Sequence, residues 1–156
     1  MRKLFLVLLA ALILCGGCLN SSDTMPLTEL TNELTSRRIL VLTKKSAYTV
    51  SFLQQLHTRA GAYYSFVIDD LNNLVEYNFA EYNGVLLIET LVHGGAPELD
   101  ELLEIYSGAN NIVLHGLDGE YTSPHKISVV TANSQNMDAP TLEDTAEQIY
   151  FLLRSK

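Results

Sequence analysis

The sequence predicts an α/β domain: a doubly wound, mostly parallel sheet of about five strands with helices on both faces. Three observations predict it. Short apolar, β-branched runs recur along residues 37–156. Segments with helical apolar spacing lie between most of them. The runs are continuously apolar rather than alternating, as in strands covered on both faces.

Taken in order, Ile39–Leu42 is the first strand. Ser46–Ala60 has helical spacing, with Val50, Leu53 and His57 on one stripe and Phe52 and Leu56 beside it. His57 reads as a partly buried packing residue. Tyr64–Ile68 is the second strand, closed by Asp69-Asp70, a pair suited to cap a succeeding helix. Leu71, Leu74 and Val75 mark a short irregular or helical stretch, and the turn dipeptide Asn83-Gly84 opens the third strand, Val85–Ile88. Pro97 starts a helix carrying Leu99, Leu102, Leu103 and Tyr106, and Gly108 ends it. Ile112–Leu114 and Ile127–Val130 are strands four and five. Thr141–Arg154 is the last helix, with Thr141 and Asp144 at capping-box spacing and Leu142, Ala146, Ile149 and Leu153 on its buried stripe. The residues between Leu114 and Ile127, HGLDGEYTSPHK, carry no helical stripe, so the fourth crossover helix is reduced or missing. A crossover of that length without a helix keeps the fifth strand parallel; the alternative is an antiparallel strand.

Ahead of this domain stand Arg2 and Lys3, then an unbroken apolar run from Leu4 to Cys15. That is a secretory leader by position and flanking charge, and it is shorter than the ~18–20 residues that span a bilayer. Gly16-Gly17-Cys18 comes next. Gly17-Cys18 resembles the lipobox of prokaryotic lipoproteins, in which the cysteine thiol receives a diacylglyceryl group and becomes residue one. Cys15 stands where that family usually has Leu, and Leu14 lies one place further back. The resemblance implies residues 1–18 as signal peptide, lipidation of Cys18, export, and a hold on the extracytoplasmic side of a membrane through two or three acyl chains.

Both cysteines lie in this segment, so residues 19–156 have no disulfide, thiolate nucleophile or cysteine metal ligand. Arg2 and Lys3 are the leader's only charges; the remainder has eight basic and eighteen acidic residues, a formal net charge of −10. Basic residues cluster no further than Arg37-Arg38 and Lys44-Lys45, which disfavours nucleic-acid binding. Residues 19–36 are polar and read as a tether, with a short helix after Pro26 carrying Leu27, Leu30 and Leu34.

Within residues 37–156, Tyr82-Asn83-Gly84-Val85-Leu86-Leu87-Ile88 is similar to the third strand of flavodoxin-like domains. Thr90-Leu91-Val92-His93-Gly94-Gly95-Ala96-Pro97 resembles their flavin-flanking loop, and Gly116–Tyr121 stands where a second such loop lies. The resemblance implies a flavodoxin-like fold and places candidate ligand contacts at Thr43, Lys44, Ser46, Thr49, Thr90, His93, Gly94, Gly95, Asp118 and Tyr121. The phosphate loop departs from the family. Thr43-Lys44-Lys45-Ser46-Ala47-Tyr48-Thr49 keeps hydroxyls but has Ala47 where Gly is expected, and bulk at Tyr48. FMN is therefore the alternative cofactor rather than the expected one. The layer architecture is also similar to class I amidotransferase-like domains, but their cysteine nucleophile would fall near Thr90 and is absent, as is any G-x-S-x-G elbow.

Ligands of such sheets bind beyond the carboxyl ends of the strands. Glu89, His93, His115, Asp118 and His125 fall there as candidate metal ligands or acid–base groups, yet their spacing matches no metal motif. Asn133-Ser134-Gln135-Asn136 reads as a polar turn that could also grip a ligand. The expectation is a non-catalytic, lipid-anchored module that binds a protein partner or small ligand at the carboxyl edge; the alternative is a surface electron carrier holding FMN.

Overall fold

The computed structural model describes residues 23–91, 97–106, 108–121 and 127–156. The leader, Cys18, His93, Gly94, Gly95 and His125 lie outside the described residues. The elements in chain order are β1 (Thr28–Leu30), β2 (Arg38–Thr43), α1 (Ala47–Ala60), β3 (Ser65–Asp70), two 3-10 helices (Leu71–Glu76 and Phe79–Glu81), β4 (Gly84–Thr90), α2 (Pro97–Ile105), β5 (Ile112–Leu117), β6 (Ser128–Ala132) and α3 (Ala139–Arg154).

They form one six-stranded sheet in the order β1-β3-β2-β4-β5-β6. β2, β3, β4, β5 and β6 pair parallel, and only β1 runs antiparallel, against β3. The fifth strand of the expected set, β6, thus joins parallel to β5. With β1 set aside, the order is 2-1-3-4-5, and its direction reverses between β2 and β4.

Side chains of alternating parity go to opposite faces. Ile39, Val41, Phe66, Ile68, Leu86, Ile88 and Val113 meet α1 and α3. Leu40, Leu42, Val67, Val85, Leu87, Ile112 and Leu114 meet the 3-10 helices and α2. Cover thins at β6, whose five residues are all at least partly exposed.

Four expectations need correction. The sheet has six strands, not about five. The sixth, β1, lies where a tether and a short helix are expected. Leu27, Leu30 and Leu34 have helical spacing, but Leu27 and Leu34 are 60% and 94% exposed, so such a helix has no face to bury. The free edge of β3 offers backbone partners instead, and β1 takes them. The folded body accordingly begins well before Arg37: Met25 is only 4% exposed, and its N–H donates to Asp70 Oδ2 at 2.8 Å.

The third correction concerns α1. Its buried stripe is Tyr48, Thr49, Phe52, Leu53, Leu56 and Ala60, so Val50 and His57 sit at the flank rather than the centre. His57 is half-buried, with its ring 5.5 Å from that of Phe66. The fourth is the start of α3. Asp138, not Thr141, is the N-cap; its carboxylate accepts from Thr141 N–H and hydroxyl. The Pro140 ring suits the first turn, so the helix opens two residues early.

Met25→Ala should lower the unfolding free energy by about 2–3 kcal/mol, the cost of a buried Met deleted from a core. Leu34→Ala should change it by less than about 0.5 kcal/mol. Urea titration of both variants checks this; equal, negligible effects would mean that residues before Arg37 are not part of the fold.

Candidate functional site

The carboxyl edge of the sheet is formed by Thr43, Asp70, Thr90, Leu117 and Ala132 and the loops that succeed them. After β2 the chain must turn at once into α1, and Ser46 does this as N-cap. Its hydroxyl accepts from Thr49 N–H at 3.0 Å, and Thr49 Oγ1 accepts from Ser46 N–H at 2.8 Å, a reciprocal capping box. Thr49 Oγ1 is also 3.1 Å from the Lys44 carbonyl, to which it donates. Buried Thr43 donates to the same carbonyl. Lys45 N–H donates to the Asp23 carbonyl at 2.7 Å. The structure therefore does bring Thr43, Lys44, Ser46 and Thr49 together, and it engages their hydroxyls with one another and the loop's backbone.

Across the reversal point, Lys44 Nζ lies 3.9 Å from Glu89 Oε1, a loose and partly exposed pair. Thr90 is exposed beside it. The next residue, Leu91, turns inward and is 3% exposed. It packs so closely on the β5 end that a Cβ at Gly116 would fall 2.5 Å from Leu91 Cδ1, and one at Gly119 2.8 Å from Leu91 Cβ. The two glycines thus make room for Leu91.

Asp118 has φ 62°, the one positive φ of a non-glycine residue among the described residues. Its carboxylate accepts from Ser134 N–H at 2.7 Å and Ser134 hydroxyl at 2.6 Å. This ties the loops after β5 and β6 and leaves a shallow cavity of about 410 Å³ bounded by Asp118, Gly119, Thr131, Ala132 and Asn133. The Asn133–Asn136 segment is a turn closed by its own bonds, Gln135 N–H to Asn133 Oδ1 among them. Tyr121 does not join this group. It packs against the second core cluster, and its hydroxyl donates to Asp100 of α2.

His115 is fully buried under α1. Its Nδ1 is 3.0 Å from the Val130 carbonyl, which can only accept, so Nδ1 carries the proton. Nε2 is then the acceptor for Tyr48 hydroxyl at 2.9 Å. The Phe52 ring lies 4.8 Å away. Burial pushes the imidazole down to about 4 against a smaller opposing effect of the Val130 bond. Burial, and then the Asp118 charge, push the Tyr48 phenol up to about 12. Both groups are neutral at pH 7. They bridge β5, β6 and α1 beneath the surface rather than serve the loops.

Asp69 and Asp70 are likewise structural. Asp70 caps the first 3-10 helix at Asn72 N–H. Asp69 Oδ2 accepts from Tyr77 hydroxyl at 2.6 Å and from Asn73 Nδ2 at 3.0 Å. Burial raises the Asp69 carboxyl, but these bonds and the Asp70 N–H together hold it below the usual range. Among the described residues, no three His, Cys, Asp or Glu side chains converge as a metal site, and no helix is long and apolar enough to cross a membrane. No family model matches the chain, and no curated protein matches it.

The sequence alone could not show the packing of Leu91 on Gly116 and Gly119, because one apolar residue after a strand carries no signal. The Tyr48–His115 pair shows only once α1 is laid on the sheet, with Tyr48 in the first turn of its buried stripe.

Two measurements bear on this edge. Native His115 resists protonation and the unfolded imidazole, near 6.5, does not. Its contribution is fully present above pH ~6.5 and is lost as pH falls toward about 4. The unfolding free energy should drop by about 3 kcal/mol across that window, and His115→Gln should flatten that part of the urea-midpoint profile. At Asp118, Gly should be tolerated better than Ala by about 1 kcal/mol, because Ala keeps the left-handed penalty while both lose the Ser134 bonds. Thermal unfolding of the two variants reads the difference.

Proposed function

We propose that this chain is an exported lipoprotein, held by lipid on Cys18, whose flavodoxin-like domain is a binding module without catalytic chemistry of its own. Its carboxyl edge, from Lys44 and Glu89 to Asp118 and Asn133, meets a small ligand or a protein partner. The observation that carries the reading is the state of the β2–α1 loop. The hydroxyls that would cradle a phosphate are engaged in the Ser46–Thr49 cap, and the Asp23 carbonyl occupies Lys45 N–H. Leu91 is buried against Gly116 and Gly119, at the loop that would flank a flavin ring after β5. The 2-1-3-4-5 strand order supports the flavodoxin-like reading.

The anchor adds a geometric consequence. Cys18 and Asp23 are five residues apart in sequence, at most about 18 Å of extended chain. Asp23 and Met25 are bonded to the carboxyl edge. A lipidated Cys18 therefore holds that edge toward the bilayer, and the opposite edge faces away from it.

FMN is the second reading, favoured by the strand-order reversal between β2 and β4. Purified protein should be colourless and should leave FMN fluorescence unquenched up to millimolar concentration; a yellow protein, or quenching at micromolar FMN, would favour the electron carrier instead. Cys18→Ser should release the protein from membranes and abolish lipid labelling, whereas Cys15→Ser should leave both intact. Membrane retention with label in the Cys18 variant would remove the anchor from the proposal.

A further inference from the structure

A cavity among the described residues lies at the other end of the sheet. It has a volume of about 660 Å³, within the ~300–1,000 Å³ usual for small-molecule sites. Its walls come from the second 3-10 helix, the chain after α2 and the end of α3, around the amino ends of the parallel strands.

Its charge is the reverse of the protein's. The chain has a formal net charge of −8 and eighteen acidic residues, yet among the described residues no Asp or Glu lines this cavity, while Arg37, Arg154 and Lys156 do. Arg38 stands at its border, with its guanidinium 5.0 Å from the centre of the Tyr82 ring. Among the described residues, the salt bridges are Lys44–Glu89 and Arg59–Glu147, so none of these four cations is held by an acidic side chain there. The end of α3 explains two of them in part, because cations favour the last turn of a helix. It does not explain Arg37, which precedes β2 and reaches the same space from another part of the fold.

The walls are fixed in advance. Asn111 Nδ2 donates to the carbonyls of Phe79 and Tyr82, at 3.0 and 2.9 Å. The Phe79 and Tyr106 rings stack at 4.0 Å, and Asn83 Oδ1 accepts from Arg38 N–H. Aromatic and cationic side chains lining one cavity suit a ligand with a charged end and an apolar or planar body.

We propose that this cavity is a binding site for a small organic anion, a carboxylate- or phosphate-bearing molecule whose charge is taken by Arg37, Arg154 and Lys156. The site is at the opposite end of the sheet from the carboxyl-edge loops and does not rest on them.

The test titrates the full chain in detergent with citrate and with inorganic phosphate, read by amide chemical shifts and calorimetry at physiological salt. Saturable shifts at Asn83, Tyr106 and Asn110 are expected, with citrate the tighter of the two. Arg37→Gln combined with Arg154→Gln should weaken citrate binding by about tenfold or more, given the strength of charge-assisted bonds. Lys44→Gln combined with Lys45→Gln, at the opposite edge, should leave it within about twofold. Should the double arginine variant lose its native circular dichroism, Lys156→Gln is read in its place and should weaken binding about threefold. The proposal is overturned by no saturable response to either anion up to about 10 mM, weaker than the binding expected of such a site. Equal weakening by the Lys44/Lys45 variant, or shifts centred on the carboxyl edge, overturns it too.

Discussion

The inner strands β2, β4 and β5 have no solvent face. Ile39 to Leu42, Val85 to Leu87 and Val113 to Leu114 are all 0% exposed, so a chain of modest length must cover both sides of the same sheet. That requirement dictates where its helices go. Two long helices close one face, while the other is closed by short 3-10 turns and a nine-residue helix. Buried apolar area is the main favourable term in folding, and β6, where cover runs out, is where least of it is gained. Polar ties hold β6 to β5: the Asp118–Ser134 bonds between the loops after them and the His115 bond to the Val130 carbonyl between the strands.

Those ties give the two ends of the sheet different characters. At the carboxyl edge, polar side chains bond one another, and a strained Asp118 is tolerated to make the tie. At the amino edge the cations have no carboxylate partners among the described residues and share a cavity with aromatic side chains. A polar residue next to a strand end therefore says little about function until its hydrogen bonds are counted. Thr43, Ser46, Thr49 and Asp118 have the composition of a ligand loop and the bonding of a scaffold.

Much of the architecture was legible from pattern alone. The central strands read as continuous apolar runs because both faces are buried, and α1 and α3 read as stripes. The length of the connection before β6 allowed a parallel or an antiparallel strand, and only the pairing with β5 decides for parallel. The illegible parts have a common cause. β1 is three residues long and owes its form to the free edge of β3, a partner distant in sequence. Met25 looks like any tether residue until its place in the core is known. Asp138 caps α3 ahead of a proline that hides the helix start. At the site, the resemblance to a phosphate loop singled out Thr43 to Thr49, but whether hydroxyls face outward or toward each other is a matter of angles that sequence does not record. The gathering of Arg37 with Arg154 and Lys156 joins positions more than a hundred residues apart.

β1 also sets an order of events. It pairs only with β3, about forty residues further along, so it has nothing to bind until β2 and β3 lie side by side. A chain that reaches its folding compartment amino end first must therefore leave its first strand waiting. Closure of β1 onto β3 is therefore a late event, and Met25, whose N–H reaches Asp70, is drawn into the core with it.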